Sequence, residues 1–111
     1  MNKYFNKKVI VDGIKFDSKK EAKRFQELMI LKKAGLIREL ELQPVFVLQE
    51  SYTNNKGEKV RAIIYKADFI YFDINLDRYI VEDVKGYKTD VYKLKKKLFE
   101  YQYPNLTIEE I

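Results

Sequence analysis

Asp68 and the triplet Asp83-Val84-Lys85 are the residues of this chain best suited to chemistry. They lie in two apolar stretches that read as β, Val60 to Phe72 and Tyr79 to Lys85. Asp73-Ile74-Asn75-Leu76-Asp77 between them has the polar character of a hairpin turn. A hairpin centred on Asn75-Leu76 sets Asp68 directly opposite Asp83. Facing Cβ atoms in such a pair are about 4.5–5.5 Å apart, where like charges repel. Lys85 shares their face, because strand side chains repeat every second residue. Two carboxylates and an ammonium converging at a strand end are destabilising unless something binds between them, and a divalent cation suits that place. The same register pairs Phe72 with Tyr79, Ile70 with Val81, Tyr71 with Ile80 and Ala67 with Val84. A slip of one residue would send the acids to opposite faces.

An acid-x-lysine triplet is not specific by itself. Asp17-Ser18-Lys19 and Glu21-Ala22-Lys23 have the same form, but only Asp83-Val84-Lys85 ends an apolar strand with an acid opposite it. The plainer reading makes Asp83 and Lys85 part of an exposed cross-strand ion pair with Lys66, worth under about 1 kcal/mol.

Composition narrows the chemistry further. There is no histidine and no cysteine, so imidazole acid/base catalysis, thiolate zinc sites and disulfides are excluded. Carboxylate, lysine and tyrosine chemistry remains, a set suited to hard, oxygen-ligated cations such as Mg²⁺. The net charge of +5 is unevenly spread. Residues 1–24 carry eight Lys/Arg against three acids, and residues 86–103 five against two, while residues 25–85 carry nine against ten. Basic segments thus flank a nearly neutral centre that holds the acid pair, as expected for a protein that handles a polyanion. Lysines that merely solvate two helices would give the same totals. No apolar run approaches the roughly 18 residues of a membrane span, and no secretion signal is visible at the N-terminus.

The elements that must position these residues fit one domain over 1–111, with a basic arm at 1–8. Lys8 to Ile14 suggests a short strand and turn. Ser18-x-x-Glu21 is a capping box that starts a helix, with Ala22, Phe25, Leu28, Met29 and Leu31 at helical spacing and Gly35 as its stop. Leu40 to Leu48 reads as a strand in which Pro44 marks an edge or a bulge. Asn54-Asn55-Lys56-Gly57 is a turn into the Val60 strand. A second helix starts near Thr89 or Asp90, with Val91, Leu94, Leu98 and Tyr101 as its apolar stripe, and ends before Pro104. Leu106 to Ile111 reads as a last short strand. The order α, three β, α, β gives an α/β mixed sheet, in which a helical crossover leads from a three-stranded meander to a fourth strand.

Around this frame, Glu21 is either the capping carboxylate or, sharing a face with Phe25 and Leu28, an acid aimed at the sheet. Gln43 is an edge-strand residue or a side chain reaching the site. Glu82 alternates to the opposite face from Asp83, beside Phe69, as a helix-packing or solvent residue. Lys19, Lys20, Lys88, Lys93, Lys96 and Lys97 are solvated or phosphate-contacting. Tyr92 and Phe99 belong to the core or stack on bases.

The order αβββαβ, with Asp68 on the second strand and Asp83-x-Lys85 on the third, resembles the PD-(D/E)XK nuclease superfamily. Gly13-Ile14-Lys15-Phe16-Asp17-Ser18-Lys19-Lys20-Glu21-Ala22, Leu42-Gln43-Pro44, Ala67-Asp68-Phe69 and Glu82-Asp83-Val84-Lys85-Gly86 resemble a small phage-encoded family first described as of unknown function. That family stands beside the Holliday-junction resolvases and phage endonuclease I. The likeness spans roughly residues 10 to 111. It implies a restriction-endonuclease-like core, a four-stranded mixed sheet flanked by two helices. It further implies Asp68, Asp83 and Glu21 as ligands of Mg²⁺ or Mn²⁺, Lys85 orienting the attacking water, and Gln43 as an accessory residue. Ala67 replaces the proline that gives the motif its name, a replacement common in the superfamily. Three readings of function follow. One is a metal-dependent endonuclease acting on double-stranded or branched DNA in phage recombination or processing, cytoplasmic and homodimeric. The second is a catalytically inactive nucleic-acid-binding module on the same fold. The third is a plain interaction protein.

Overall fold

A computed structural model describes residues 8–85 and 87–111. Apart from Lys8, the expected basic arm lies outside the described residues, as does Gly86 of the Glu82-Asp83-Val84-Lys85-Gly86 motif. A hairpin of β1 (Val9–Val11) and β2 (Ile14–Phe16) leads into helix α1 (Lys19–Lys33). Ser18 caps α1 by accepting the Glu21 N–H at 3.1 Å. Gly35 ends it at φ 77°, the left-handed region a glycine enters without a Cβ clash.

The two long strands read from the sequence are present as one bent ladder. β3 (Ile37–Leu42) pairs antiparallel with β8 (Phe69–Asp73), and β4 (Val45–Gln49) with β7 (Ile63–Lys66). Between these ladders the Gln43 N–H donates to the Asp68 carbonyl and the Ala67 N–H to the Pro44 carbonyl. The register therefore runs through a corner, with Leu42 opposite Phe69 on one side and Val45 opposite Lys66 on the other. Both strands break there. Gln43 takes a left-handed φ of 52°, and Pro44 has no N–H to give to a ladder. The expected pairing of Ala67 with Val84 is corrected accordingly, since Ala67 turns to Pro44. Beyond β4 and β7 the same two chain segments continue as a small ribbon, β5 (Tyr52–Thr53) with β6 (Lys59–Val60).

β9 (Arg78–Asp83) returns from the 74–77 turn and pairs with β8 in the expected register, Ile70 opposite Val81 and Phe72 opposite Tyr79. Helix α2 (Asp90–Gln102) then crosses over to β10 (Ile108–Glu110), which lies parallel to β9. The result is a four-stranded mixed sheet, order β10-β9-β8-β3, with the ribbons attached at its corner. Among the described residues, no helix is long and apolar enough to cross a membrane.

The helices line two cores. Phe16, Ala22, Phe25 and Leu28 pack with Phe69, Tyr71 and Ile80. Tyr92 and Phe99 of α2 pack with Leu48, Tyr65, Ala67, Val81 and Ile108. This corrects the expected α2 stripe except at Leu98, which packs against the second core. Val91, Leu94 and Tyr101 are 62%, 58% and 82% exposed. Two apolar stripes of the same period run along this helix. The sheet takes the aromatic one, because Phe99 and Tyr103 meet Phe46 edge-on at 4.9 and 5.4 Å between ring centroids.

Glu82, 1% exposed, is a helix-packing residue held by α1: Arg24 Nε donates to it at 2.7 Å, and Arg24 Nη2 and the Tyr71 hydroxyl share its other oxygen. Removing one partner leaves a buried charge uncompensated. Arg24→Ala is therefore expected to lower stability by about 3 kcal/mol, read from the urea midpoint. Lys23→Ala on the exposed neighbouring position should stay within about 0.5 kcal/mol of wild type.

Candidate functional site

Glu21, Asp68, Asp83 and Lys85 gather where the corner, the end of β9 and the first turn of α1 meet. Asp68 sits at the corner. Its N–H donates to the Glu82 carbonyl at 3.0 Å, although Phe69 is the residue paired with Glu82. Two successive residues thus oppose one, which is the geometry of a β-bulge, a device that re-aims a side chain. The expectation that Asp68 lies squarely opposite Asp83 is corrected by this one-residue offset. The bulge leaves Asp68 Oδ2 accepting the Val84 N–H at 2.7 Å and brings the carboxyl to Glu21 of α1.

Burial, then a hydrogen bond with the Glu21 carboxyl, pushes the Asp68 carboxyl up to about 8, against the lowering effect of Val84 N–H. A half-buried carboxyl that faces another carboxyl favours its neutral form. Glu21 faces Asp68, and the capping bond expected of it is displaced by one residue. Its Oε1 accepts the Asp17 N–H at 3.1 Å, one residue before the position a capping box serves, and its side chain also meets Asp68.

Asp83 ends β9 and is 2% exposed, so the exposed ion-pair reading of this residue fails. Lys85 Nζ lies 3.1 Å from Asp83 Oδ1, and the Tyr65 hydroxyl donates to Oδ2. Burial, then the hydrogen bond to Asp83, raises the Tyr65 pKa, so its hydroxyl stays a proton donor even in alkaline solution. The Lys85 ammonium also sits 4.3 Å from the centroid of the Tyr92 ring, a cation–π contact. Tyr92 is fixed in turn by its hydroxyl, which donates to Glu110 Oε2 at 2.7 Å. Tyr65 is a neighbour of the site that the sequence did not single out, whereas Tyr92 was read there as a core or base-stacking residue. Alternation along β7 could have put Tyr65 on the inner face, but nothing in the sequence marks its hydroxyl.

Gln43 contributes its backbone N–H to Asp68, while its side chain is exposed. The lysines divide. Lys20 Nζ donates to the Lys85 carbonyl at 3.2 Å and so borders the site, with Lys19 exposed beside it. Lys88 and Lys96 are ion-paired to Glu110 at 3.0 and 3.3 Å. Lys93 and Lys97 are exposed on α2. Tyr92 and Phe99 are core residues.

Among the described residues no three acids stand close enough to form a ready-made metal cage. The donor chemistry nonetheless fits a hard divalent cation. Asp68 holds, beside Glu21, a proton that a cation could replace, and Asp83 already faces a positive charge in the Lys85 ammonium.

The raised Asp68 pKa has a consequence for stability. Asp68 titrates near 3.8 when unfolded and near 8 when folded. Between those values the folded chain holds the extra proton, so stability falls as pH rises from about 4 to about 8. Glu110, held down to about 2 by the Tyr92 hydroxyl and Lys88, acts in the opposite sense, and only below its ordinary value of 4.5. In metal-free buffer the wild-type denaturation midpoint should drop across pH 4–8 and that of Asp68→Asn should stay flatter; parallel curves would contradict the raised Asp68 pKa.

Comparison with curated proteins gives no match, and neither does comparison with solved structures. Residues 1–111 match the family described as "Protein of unknown function (DUF1064)". Because the match covers the whole chain, the protein belongs to the DUF1064 family.

Proposed function

We propose that this protein is a metal-dependent endonuclease with a restriction-endonuclease-like αβββαβ core, hydrolysing phosphodiester bonds in double-stranded or branched DNA. The observation that carries the proposal is the convergence of Glu21, Asp68, Asp83 and Lys85 at one corner of the sheet. Acids drawn together with an amine beside them, two of the three buried, cost stability that a purely structural corner would avoid.

Glu21, Asp68 and Asp83 would hold Mg²⁺ or Mn²⁺, which when bound supplies a Lewis acid and a water of lowered pKa. The chain's own residues do the rest. Lys85, poised between Asp83 and the Tyr92 ring, carries a point charge to where negative charge develops on the phosphate. Tyr65 keeps the Asp83 carboxylate oriented. Lys19 and Lys20 offer charge to the backbone beside the site without reading bases. A branched substrate has two-fold character and suits a homodimer. Action on phage or host DNA puts the protein in the cytoplasm.

The test is Mg²⁺-dependent cleavage of defined linear and junction DNAs. Asp83→Ala should abolish cleavage while retaining binding, and Lys85→Ala should slow it by about 10²–10³-fold, the scale of removing one transition-state donor. Wild-type DNA binding with no cleavage in Mg²⁺ or Mn²⁺ would favour the second reading, a nucleic-acid-binding module on the same fold. Undiminished cleavage by Asp83→Ala would assign the activity to a contaminant.

A further inference from the structure

The ribbon beyond the corner buries nothing, yet it is built to be rigid. From Gln49 to Ile64 every residue is exposed or half-exposed, and β5 and β6 pair with each other alone among the described strands. The described chain extends 54 × 40 × 24 Å with a radius of gyration of 16.2 Å, against about 13 Å for a compact domain of this length. A free two-stranded hairpin is marginal in water, and this one is clamped at its tip. Asn54 Oδ1 accepts the Lys56 and Glu58 N–H groups at 2.9 and 3.0 Å, and Asn54 Nδ2 donates to Glu58 Oε1 at 2.8 Å.

Its two faces differ in chemistry. Tyr52 pairs with Val60 and Thr53 with Lys59, so extending the register sets Ser51 across from Arg61. One face therefore presents Ser51, Thr53, Lys59 and Arg61, two hydroxyls and two cations with no acid. Glu50, Tyr52, Glu58 and Val60 fall on the other. Lys59 and Arg61 stand about 7 Å apart along the strand, close to the spacing of consecutive phosphates on one nucleic-acid strand.

We propose that this ribbon is a nucleic-acid arm, whose hydroxyl-and-cation face binds the sugar–phosphate backbone of the duplex at a distance from the cut. The inference rests on the nuclease reading of the corner. Lys66, at the root of the arm, is two residues from Asp68, and the five to seven residues from Lys66 out to Arg61 and Lys59 span on the order of 20 Å. At about 3.4 Å per base pair the arm meets the backbone roughly six base pairs from the scissile phosphate. Two-stranded ribbons of this width fit the major groove, which brings such side chains to the phosphates along its edges.

The test is fluorescence anisotropy of the full chain on a labelled linear duplex in EDTA, titrated with salt. The double variant Lys59→Ala/Arg61→Ala should bind at least tenfold more weakly at 50 mM salt. Its log-affinity against log-salt slope should be shallower by about 1.8, two phosphate contacts at about 0.9 each. Arg61→Gln alone should give half that change, with Arg61→Lys restoring the slope. Unchanged affinity and slope in the folded double variant would overturn the arm, and so would a wild type that binds no duplex. Mg²⁺-dependent cleavage by the wild type on the same DNA judges the nuclease reading separately, because cleavage with arm variants that bind normally sinks the arm alone.

Discussion

Carboxylates leave water at three points in this small domain, and the architecture is arranged around compensating them. Glu21, Glu82 and Asp83 are each 4% exposed or less. An uncompensated buried charge is among the most costly features a fold can carry. Glu82 is answered by Arg24 and Tyr71, Asp83 by Lys85 and Tyr65, and Glu21 by the Asp17 N–H and the proton held on Asp68. The three answers differ in kind. The first is a fixed guanidinium fork that ties α1 to the sheet. The second is an amine on a flexible stem, and the third is exchangeable with solvent. The pair locked by arginine is structural, while the two that can give way lie together at the corner.

Much of this frame was legible in the sequence, because local chemistry and tertiary structure agree there. Ser18 and Gly35 bound α1 where capping rules put them, and the Asn75-Leu76 turn sets the β8–β9 register from which Asp83 and Lys85 could be placed. Failures came where an apolar pattern supports more than one arrangement. On α2, Val91-Leu94-Leu98-Tyr101 and Tyr92-Phe99 have the same period. Only the aromatic wall of Phe46 and Tyr65 decides between them, and it comes from a distant part of the chain.

The corner was hidden for a different reason. Pro44 announced an irregularity in one strand, but nothing at Ala67-Asp68 announces the matching break in the other. The break is imposed across the ladder by the left-handed Gln43 and its bond to the Asp68 carbonyl. Glu21 could be read only as a choice between cap and site, because a single oxygen engaged by Asp17 leaves the rest of the carboxyl free to do something else. Tyr65 and Tyr92 show the same limit. Alternation and helical phase place a ring, but the partner of its hydroxyl is set by elements elsewhere in the fold.

The ladder that turns this corner is antiparallel and closed at its far end by a hairpin. Inserting or deleting one residue on each side of that hairpin, opposite one another, changes its reach by one rung and leaves the phase at Val45 and Lys66 untouched. Length beyond the corner is thus decoupled from geometry at the corner. Homologues could diverge freely in the outer segment while keeping the acids in place, and a foreign hairpin could be grafted there without disturbing them.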